Sequence, residues 1–255
     1  MIMQEDTSRT MSKNNYEARL FVEDTLSSRK SLVLKNGQGH YLRAVLRLKS
    51  ESKVALFNGI EGEWLSTIKT ITKKYVELEV IKKIRSQEAT SNIWLVFAPI
   101  KRTRIDYLAQ KATELGVGAL WPIFTKFTSV SRVNTERLKS NAIEASEQSG
   151  RLTVPEILVP IDFRTLMIEW PKDRVLFCLD ETGGGMPILD AFRSSDFRAA
   201  GLLIGPEGGF ANEELDQVDK LGNVCRVSLG NQILRSDTAA VAALACWQAI
   251  AGDWR

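Results

Sequence analysis

Apolar and polar residues follow two different patterns along this chain, and the change falls near residue 90. From residue 18 to 86 the apolar runs are short and separated by glycine turns, and residues 76–80 alternate strictly between apolar and acidic side chains. Such alternation puts one face of a strand in a core and the other in solvent. The pattern predicts a small β-barrel, with strands at residues 19–22, 31–34, 53–57, 63–71 and 75–84.

Beyond a polar linker at 86–92, the pattern of apolar and polar residues changes. Continuous apolar runs alternate with stretches of helical period, and these runs lie at residues 93–98, 119–124, 174–179, 202–204 and 224–227. Unbroken apolar strands are typical of a parallel sheet covered on both faces. We predict an α/β domain over residues 90–255, the barrel over 18–86 and a flexible arm over 1–17, which is polar and without period.

Three of the predicted helices lie in the second half of the chain, and the last of them differs in composition. One spans 135–149 and ends at Gly150, and another spans 213–221 with Asn212 as its cap. The last, over 238–251, contains no Lys, Arg, Asp or Glu. An apolar surface on all sides implies burial on all sides, which a terminal helix rarely finds in one subunit. We therefore predict a homodimer sealed partly by this helix of the C-terminal domain; a central core helix is the alternative.

Two of the apolar strands, at 202–204 and 224–227, each run into a glycine turn, and these turns read Gly205-Pro206-Glu207-Gly208-Gly209-Phe210 and Leu229-Gly230-Asn231-Gln232-Ile233-Leu234-Arg235. Carboxyl ends of strands in open α/β sheets form ligand-binding crevices. No Lys-Ser or Lys-Thr follows the glycines, and their spacing does not fit a dinucleotide fingerprint. Glu207 would also repel a pyrophosphate. The crevice therefore favours a ligand of positive or neutral character.

The order and spacing of both turns resemble the signature of the ribosomal RNA uridine-N3 methyltransferases, the RsmE type of the SPOUT superfamily. The matching segments are Leu203 to Phe210 and Leu229-Gly230-x-x-Ile233-Leu234-Arg235-x-x-Thr238-Ala239. The resemblance covers nearly everything from Arg19 onward. It implies a SPOUT-type α/β domain with a deep trefoil knot, preceded by a PUA-like β-barrel that binds RNA. It also implies methylation of N3 of a specific uridine in 16S ribosomal RNA, in the assembled small subunit.

The resemblance further implies S-adenosylmethionine as cofactor, bound in the crevice mainly by backbone groups. The candidate cofactor-binding residues are Leu179, Asp180, Ile204, Gly205, Pro206, Glu207, Gly208, Leu229, Gly230, Asn231, Ile233 and Leu234. A third glycine turn, at 180–185, is predicted to border them. The chain departs from the family pattern at Asn231-Gln232, where Pro-Arg is usual, and at Ser236-Asp237, where Thr-Glu is usual.

Catalysis is assigned to the second turn. Uracil N3 is a poor nucleophile while protonated, so a cation that stabilises the uracil anion would promote the reaction. Arg235 is the candidate for that cation, and Asp237 the candidate that orients it or takes the proton. In the alternative interpretation Arg235 only ties down the knot.

Three groups of side chains are candidates for RNA contact. Lys101, Arg102 and Arg104 are predicted at the start of a helix, where cations oppose the macrodipole and a phosphate would remove the conflict; a solvated helix end is the alternative. A short amphipathic helix is predicted at 40–48, with Leu42, Val45 and Leu46 facing the barrel. His40, Arg43 and Arg47 are its candidate RNA contacts, or a cap and surface arginines. Gln148 and Arg151 are added by the resemblance alone.

Composition narrows the function classes. Cys178, Cys225 and Cys246 are widely spaced in apolar settings, which indicates buried thiols of a reducing compartment. With His40 as the single histidine, we predict no metal site. No apolar run is long enough for a membrane span, so we predict a cytoplasmic protein. Residues 1–85 carry 16 basic and 10 acidic side chains, against 18 and 21 in the remainder, which favours a polyanion partner for the first part.

Two other functions stay open at this stage. The chain could be a non-catalytic RNA-binding protein, which would need the basic face but no formed cofactor pocket. It could also be a knotted methyltransferase that acts on another RNA, such as transfer RNA.

Overall fold

A computed structural model describes residues 16–89, 92–194 and 199–254 of the chain. Their contacts divide the chain into two compact units, with the boundary between Gln87 and Glu88. The predicted arm at 1–17 lies outside the described residues except for Tyr16 and Glu17. The backbone N–H of Glu17 donates to the Lys53 carbonyl at 2.9 Å, so Glu17 is already attached to the first unit.

The first unit is built on a five-stranded sheet in the order β1-β3-β4-β5-β2. Its strands are β1 Ala18–Phe21, β2 Ser31–Lys35, β3 Lys53–Phe57, β4 Glu63–Ile71 and β5 Tyr75–Arg85. β1 pairs with β3 in parallel, and the other pairs are antiparallel. The alternation read at 76–80 is real, because Val76, Leu78 and Val80 are fully buried and the intervening glutamates are not.

The helical segment of this unit differs from the prediction. Helix α1, Asn36–His40, begins where the sequence indicated a turn, and it continues into a π-helical turn at Tyr41–Val45. The Leu46 N–H donates to the Tyr41 carbonyl five residues back, at 3.0 Å. A π-helical turn contains more residues than an α-helical one. Leu42 is buried as predicted. The prediction that Val45 also faces the barrel is wrong, since Val45 is 59% exposed.

The second unit is an all-parallel sheet in the order β11-β13-β10-β12-β6-β7-β8, with β9 also paired to β7. Its strands are β6 Ile93–Phe97, β7 Ala119–Phe124, β8 Glu156–Ile157, β9 Ile161–Asp162, β10 Val175–Leu179, β11 Met186–Pro187, β12 Ala200–Ile204 and β13 Val224–Ser228. Its helices are α2 Arg102–Glu114, α3 Thr135–Ser149, α4 Phe163–Glu169, α5 Ile188–Arg193, α6 Asn212–Val218 and α7 Ser236–Ile250.

Hydrophobic cores cover both faces of this sheet. Alternate residues of one strand enter different cores: Phe177 packs with Trp247 of α7 on one side, while Leu176 and Cys178 pack with Trp170 on the other. This explains why the strands are continuous apolar runs, since a strand buried on both faces has no polar side. The order of the sheet places β10 between β12 and β13, so three glycine turns meet at its carboxyl edge.

The start of α6 differs from the prediction. Helix α6 starts at Asn212, so Asn212 is not its cap; the Glu214 carboxylate instead accepts from the Ala211 N–H at 2.9 Å. Helix α7 buries one face, including Ala243 and Trp247, while its other face is only partly covered within this chain. Among the helices of the described residues, none combines the length and hydropathy that a bilayer crossing requires.

Candidate functional site

A cavity opens where β10, β12 and β13 end, between the three glycine turns. Eleven of the twelve candidate cofactor residues line it, together with side chains from the same turns and from α7. The eleven are Leu179, Asp180, Ile204, Gly205, Pro206, Glu207, Leu229, Gly230, Asn231, Ile233 and Leu234. Gly208 is absent from the lining. A Cβ at Gly208 would lie 3.2 Å from the Phe127 Cβ, so this residue faces a different neighbour.

Glycines keep the wall of the cavity thin. Gly209 and Gly230 have φ angles of 68° and 104°, which L side chains rarely adopt. A Cβ at Gly205 would lie 3.1 Å from the ring of Phe210. The Ser236 hydroxyl donates to the Gly205 carbonyl at 2.8 Å and so ties the second turn to the first. At Gly230 nothing lies within 4 Å of where a Cβ would be, so a bound ligand can approach this part of the backbone closely.

The third turn is held by a charge network that the sequence did not reveal. The Asp180 carboxylate accepts from the Thr182 N–H at 2.9 Å and from Arg226 at 2.7 Å. Arg226 comes from β13 and also pairs with Asp219 at 3.2 Å. Burial raises the pKa of Asp180, but the hydrogen bonds from Thr182 and the charge of Arg226 outweigh burial and hold it below its ordinary value. One sequence signal could have indicated this network: Arg226 is a charged residue inside an otherwise apolar strand.

Arg104 and Glu207 link a candidate RNA contact to the cavity. The Arg104 guanidinium lies 3.3 Å from the Glu207 carboxylate, with both side chains partly exposed. Lys101 is exposed at the start of α2, and that helix has no acidic residue in its first turn. The side chain of Arg102 lies outside the described residues. This end of α2 therefore contacts a residue of the cavity lining, Glu207, through Arg104.

The two candidate catalytic residues lie in different surroundings. Arg235 is exposed and lines the cavity. Asp237 sits in the first turn of α7, outside the lining, and its carboxylate accepts from the Thr238 N–H at 3.0 Å. Within the described residues, no ion pair joins Asp237 to Arg235.

Arg151 was predicted to contact RNA, but its guanidinium forms hydrogen bonds within the chain. Its guanidinium donates to the Thr113 carbonyl at 2.8 Å, to the Val117 carbonyl and to the Thr153 hydroxyl at 3.0 Å. Burial lowers the pKa of Arg151 to about 10, against a smaller opposite effect of Asp253. With its donors directed at backbone carbonyls, Arg151 closes the carboxyl end of α2.

The remaining candidates for RNA contact are spread over the molecule. Gln148 is exposed on α3. His40, Arg43 and Arg47 belong to the first unit, where His40 and Arg47 are exposed and Arg43 is half-buried. Arg47 follows the π-helical turn with a φ of 55°, so the helix predicted over 40–48 ends before this residue.

The charged groups of the lining discriminate between ligands. Asp180, Glu181 and Glu207 supply three carboxylates, against the single guanidinium of Arg235. Asp180 is paired with Arg226 and Glu207 with Arg104, so Glu181 is the lining carboxylate that can favour a cationic ligand over a phosphate. Among the described residues there is no cluster of three His, Cys, Asp or Glu side chains that could hold a metal ion. Of the thiols, Cys178 is buried as predicted, whereas Cys225 and Cys246 are only half-buried.

The sequence matches two family profiles. The RNA methyltransferase domain matches residues 87–248, and the RNA methyltransferase PUA domain matches residues 34–81. Among curated relatives, Ribosomal RNA small subunit methyltransferase E of Rickettsia conorii is 32% identical over 231 residues, covering 89% of this chain and 93% of the relative.

Solved structures give the same picture. A Ribosomal RNA small subunit methyltransferase E from Neisseria gonorrhoeae bound to S-adenosyl methionine has a TM-score of 0.86 at 28% identity, covering 94% of this chain and all 100% of that chain. A methyltransferase from Legionella pneumophila in complex with the bound cofactor SAM has a TM-score of 0.83 at 27% identity, covering 91% and 97%. The predicted fold class is confirmed, an α/β domain of SPOUT type preceded by a PUA-like domain; the knot stays a prediction.

Proposed function

The chain belongs to the ribosomal RNA small subunit methyltransferase E family, and we propose on that basis that it transfers a methyl group from S-adenosylmethionine to 16S ribosomal RNA. The observation that carries the proposal is the cavity at the carboxyl edge of β10, β12 and β13, which eleven residues of the family-like turns line together. A non-catalytic RNA-binding protein would have no use for such a cavity.

The residues present fit S-adenosylmethionine, which would bring a methyl group already attached to a good leaving group. Gly230 faces open space, with nothing within 4 Å of where a Cβ would lie, so a nucleoside can lie beside the backbone there; the lining carries no phosphate-binding lysine. Asp180 and Glu207 are neutralised by their arginine partners. Glu181 has no ion-pair partner within the described residues, so its carboxylate stays available to a cationic ligand.

The reacting atom we propose is N3 of a uracil. Its proton must leave before N3 can attack a methyl group, and the charge that develops on the base needs a cation nearby. Arg235, exposed on the rim of the cavity, supplies that cation. Asp237 lies in the following turn of α7 and is our candidate for orienting Arg235 or accepting the proton. Holding the base in line with the methyl group supplies much of the remaining rate.

RNA outside the cavity is assigned to basic and polar side chains of both units. Lys101, Arg102 and Arg104 would contact phosphates beside the cavity, with Gln148 as a further contact, and His40, Arg43 and Arg47 would contact RNA from the PUA-like domain. Arg151 is left out of this set, since its donors are bound to carbonyls. Assembled small subunits are the proposed form of the substrate, which would place the protein in the cytoplasm.

We extend the proposal to a trefoil knot formed by the three turns and to a homodimer sealed by α7. The uncovered face of α7 supports the dimer: Val241, Ala242, Ala245 and Cys246 are half-buried and Ala249 is exposed, all without charge. Ala245→Glu would put a carboxylate on this face. Sedimentation should show a dimer for the wild type and a monomer for the variant, and a monomeric wild type would refute the dimer.

The activity is tested in two steps. Isothermal titration with S-adenosylmethionine should show binding that Gly205→Val abolishes, since its added atoms would press on Phe210. Gly222→Val is the matched control, because a Cβ at Gly222 meets nothing within 4 Å and should leave binding unchanged. Transfer of radiolabelled methyl to small subunits, followed by mass mapping of the RNA, then identifies the modified base. No transfer by folded, cofactor-bound protein would contradict the proposal.

A further inference from the structure

The geometry points to Phe127 as a stacking platform for a nucleobase next to the methylated one, an inference that rests on the proposed function. Phe127 lies in the turn after β7 and is 48% exposed. Single exposed apolar side chains are common on protein surfaces. This one differs in how firmly it is held and in what it lies beside.

Hydrogen bonds fix the turn that carries Phe127. The Thr125 N–H donates to the Thr128 hydroxyl at 2.9 Å, and the Thr128 N–H donates to the Thr125 carbonyl at 3.1 Å. Between them, the Lys126 N–H donates to the Glu214 carboxylate of α6 at 2.8 Å. The backbone on both sides of the ring is therefore anchored, so presenting the ring to a ligand costs little additional ordering.

The anchored ring lies against the first glycine turn of the cavity. A Cβ at Gly208 would come within 3.2 Å of the Phe127 Cβ. Gly208 is the one candidate cofactor residue that does not line the cavity, and its lack of a side chain leaves room for Phe127. Since Glu207 on one side and Gly209 on the other do line it, the ring flanks the cavity.

The charge beside the ring suits RNA. Lys126 is exposed, and its ammonium lies 5.9 Å from the centre of the Phe127 ring and 3.3 Å from the Glu213 carboxylate, a solvent-exposed pair of the kind that contributes little stability and that a phosphate can replace. An aromatic face next to a lysine is the arrangement by which proteins hold unpaired RNA, with the base stacked and the phosphate neutralised. A base that enters the cavity must leave its stack, and its neighbour then exposes a face that Phe127 can cover.

The test distinguishes the effect of an aromatic ring at position 127 from that of an apolar side chain without a ring. Phe127→Ala and Phe127→Leu should each raise KM for unmethylated small ribosomal subunits about 10-fold, the loss expected for one stacked base. Phe127→Tyr and Phe127→Trp should keep the wild-type KM, because both retain an aromatic face. The dissociation constant for S-adenosylmethionine should stay unchanged in all four. Ile168→Ala, which removes a side chain that is 75% exposed on α4, is the control and should leave KM unaltered.

Two results would overturn the assignment. One is a KM within twofold of wild type for Phe127→Ala, or for Phe127→Leu, since stacking requires the ring. The other is weaker cofactor binding in Phe127→Ala, which would mean that the ring only supports Gly208. Either result leaves the methyltransferase proposal intact as long as the wild type modifies the subunits. Failure of the wild type to do so would refute that proposal instead.

Discussion

The Arg226 guanidinium lies 2.7 Å from the Asp180 carboxylate, and this ion pair joins β13 to the turn that follows β10. The Asp180 side chain is 1% exposed and that of Arg226 26% exposed, so the carboxylate is shielded while the guanidinium reaches solvent. Thr182 donates both its N–H and its hydroxyl to the same carboxylate. Because Asp180 and Thr182 both line the cavity, the pair positions one of its walls.

Removing the cation should damage both stability and cofactor binding. Arg226→Met leaves a buried carboxylate without its partner, and we expect a loss of about 2 to 4 kcal/mol in the free energy of unfolding, less than for a fully buried pair. Urea unfolding measures it. The double variant Arg226→Met with Asp180→Asn should recover part of the loss, because the uncompensated charge is gone. Equal stability of wild type and Arg226→Met would show that the pair contributes nothing.

The same carboxylate predicts a dependence on pH. The pKa of Asp180 is lowered in the folded chain, so its stabilisation is fully present above the unfolded value of about 3.9 and disappears as the pH falls through the lower, folded value. Asp180→Asn should therefore be clearly less stable than wild type at pH 7. The difference should shrink below about pH 4. Unfolding curves at pH 7 and below about pH 4 test this prediction. A stability difference that grows on acidification would contradict a lowered pKa of Asp180.

Substituting Arg235 should impair chemistry more than binding. Arg235→Ala should lower kcat for methyl transfer about 100-fold or more, the usual effect of losing one group that stabilises transition-state charge. Arg235→Lys keeps the charge and should recover part of the rate. Titration with S-adenosylmethionine should show affinity close to wild type for both variants. A fall in cofactor affinity that matches the fall in kcat would instead favour a structural role in holding the turn.

The three thiols should react at different rates. Burial raises the pKa of Cys178 to about 12, with a smaller contribution from Asp180, so almost no thiolate exists at pH 8. Cys225 and Cys246 also have raised pKa values through burial, but both are half-buried. In the folded protein, a maleimide should label Cys225 before Cys178, whereas Cys246 lies on the face of α7 that the proposed dimer covers; mass mapping identifies the sites. Early labelling of Cys178 would show that its core opens.

Local pattern alone was sufficient for the longer strands and for the glycine turns at the cavity. The alternation at 76–80 specified a strand with one buried face, and the unbroken apolar runs specified a sheet covered on both faces. Glycine turns behind two of those strands located the cavity, because the carboxyl ends of parallel strands meet at one edge. These features depend on residues close in sequence. They could therefore be predicted without knowing which strands are neighbours.

Contacts between distant residues were decided only by the tertiary structure. Arg226 meets Asp180 across 46 positions, and Arg151 donates to a carbonyl 38 positions away, so their sequence neighbours gave no sign of either partner. The exposed Val45 and the anchored Phe127 depend on a π-helical turn and on Glu214 of α6. Charged and aromatic side chains act through whatever the fold brings within a few ångströms. The sequence thus determined where the cavity forms, and the packing of the fold determined which charges shape it.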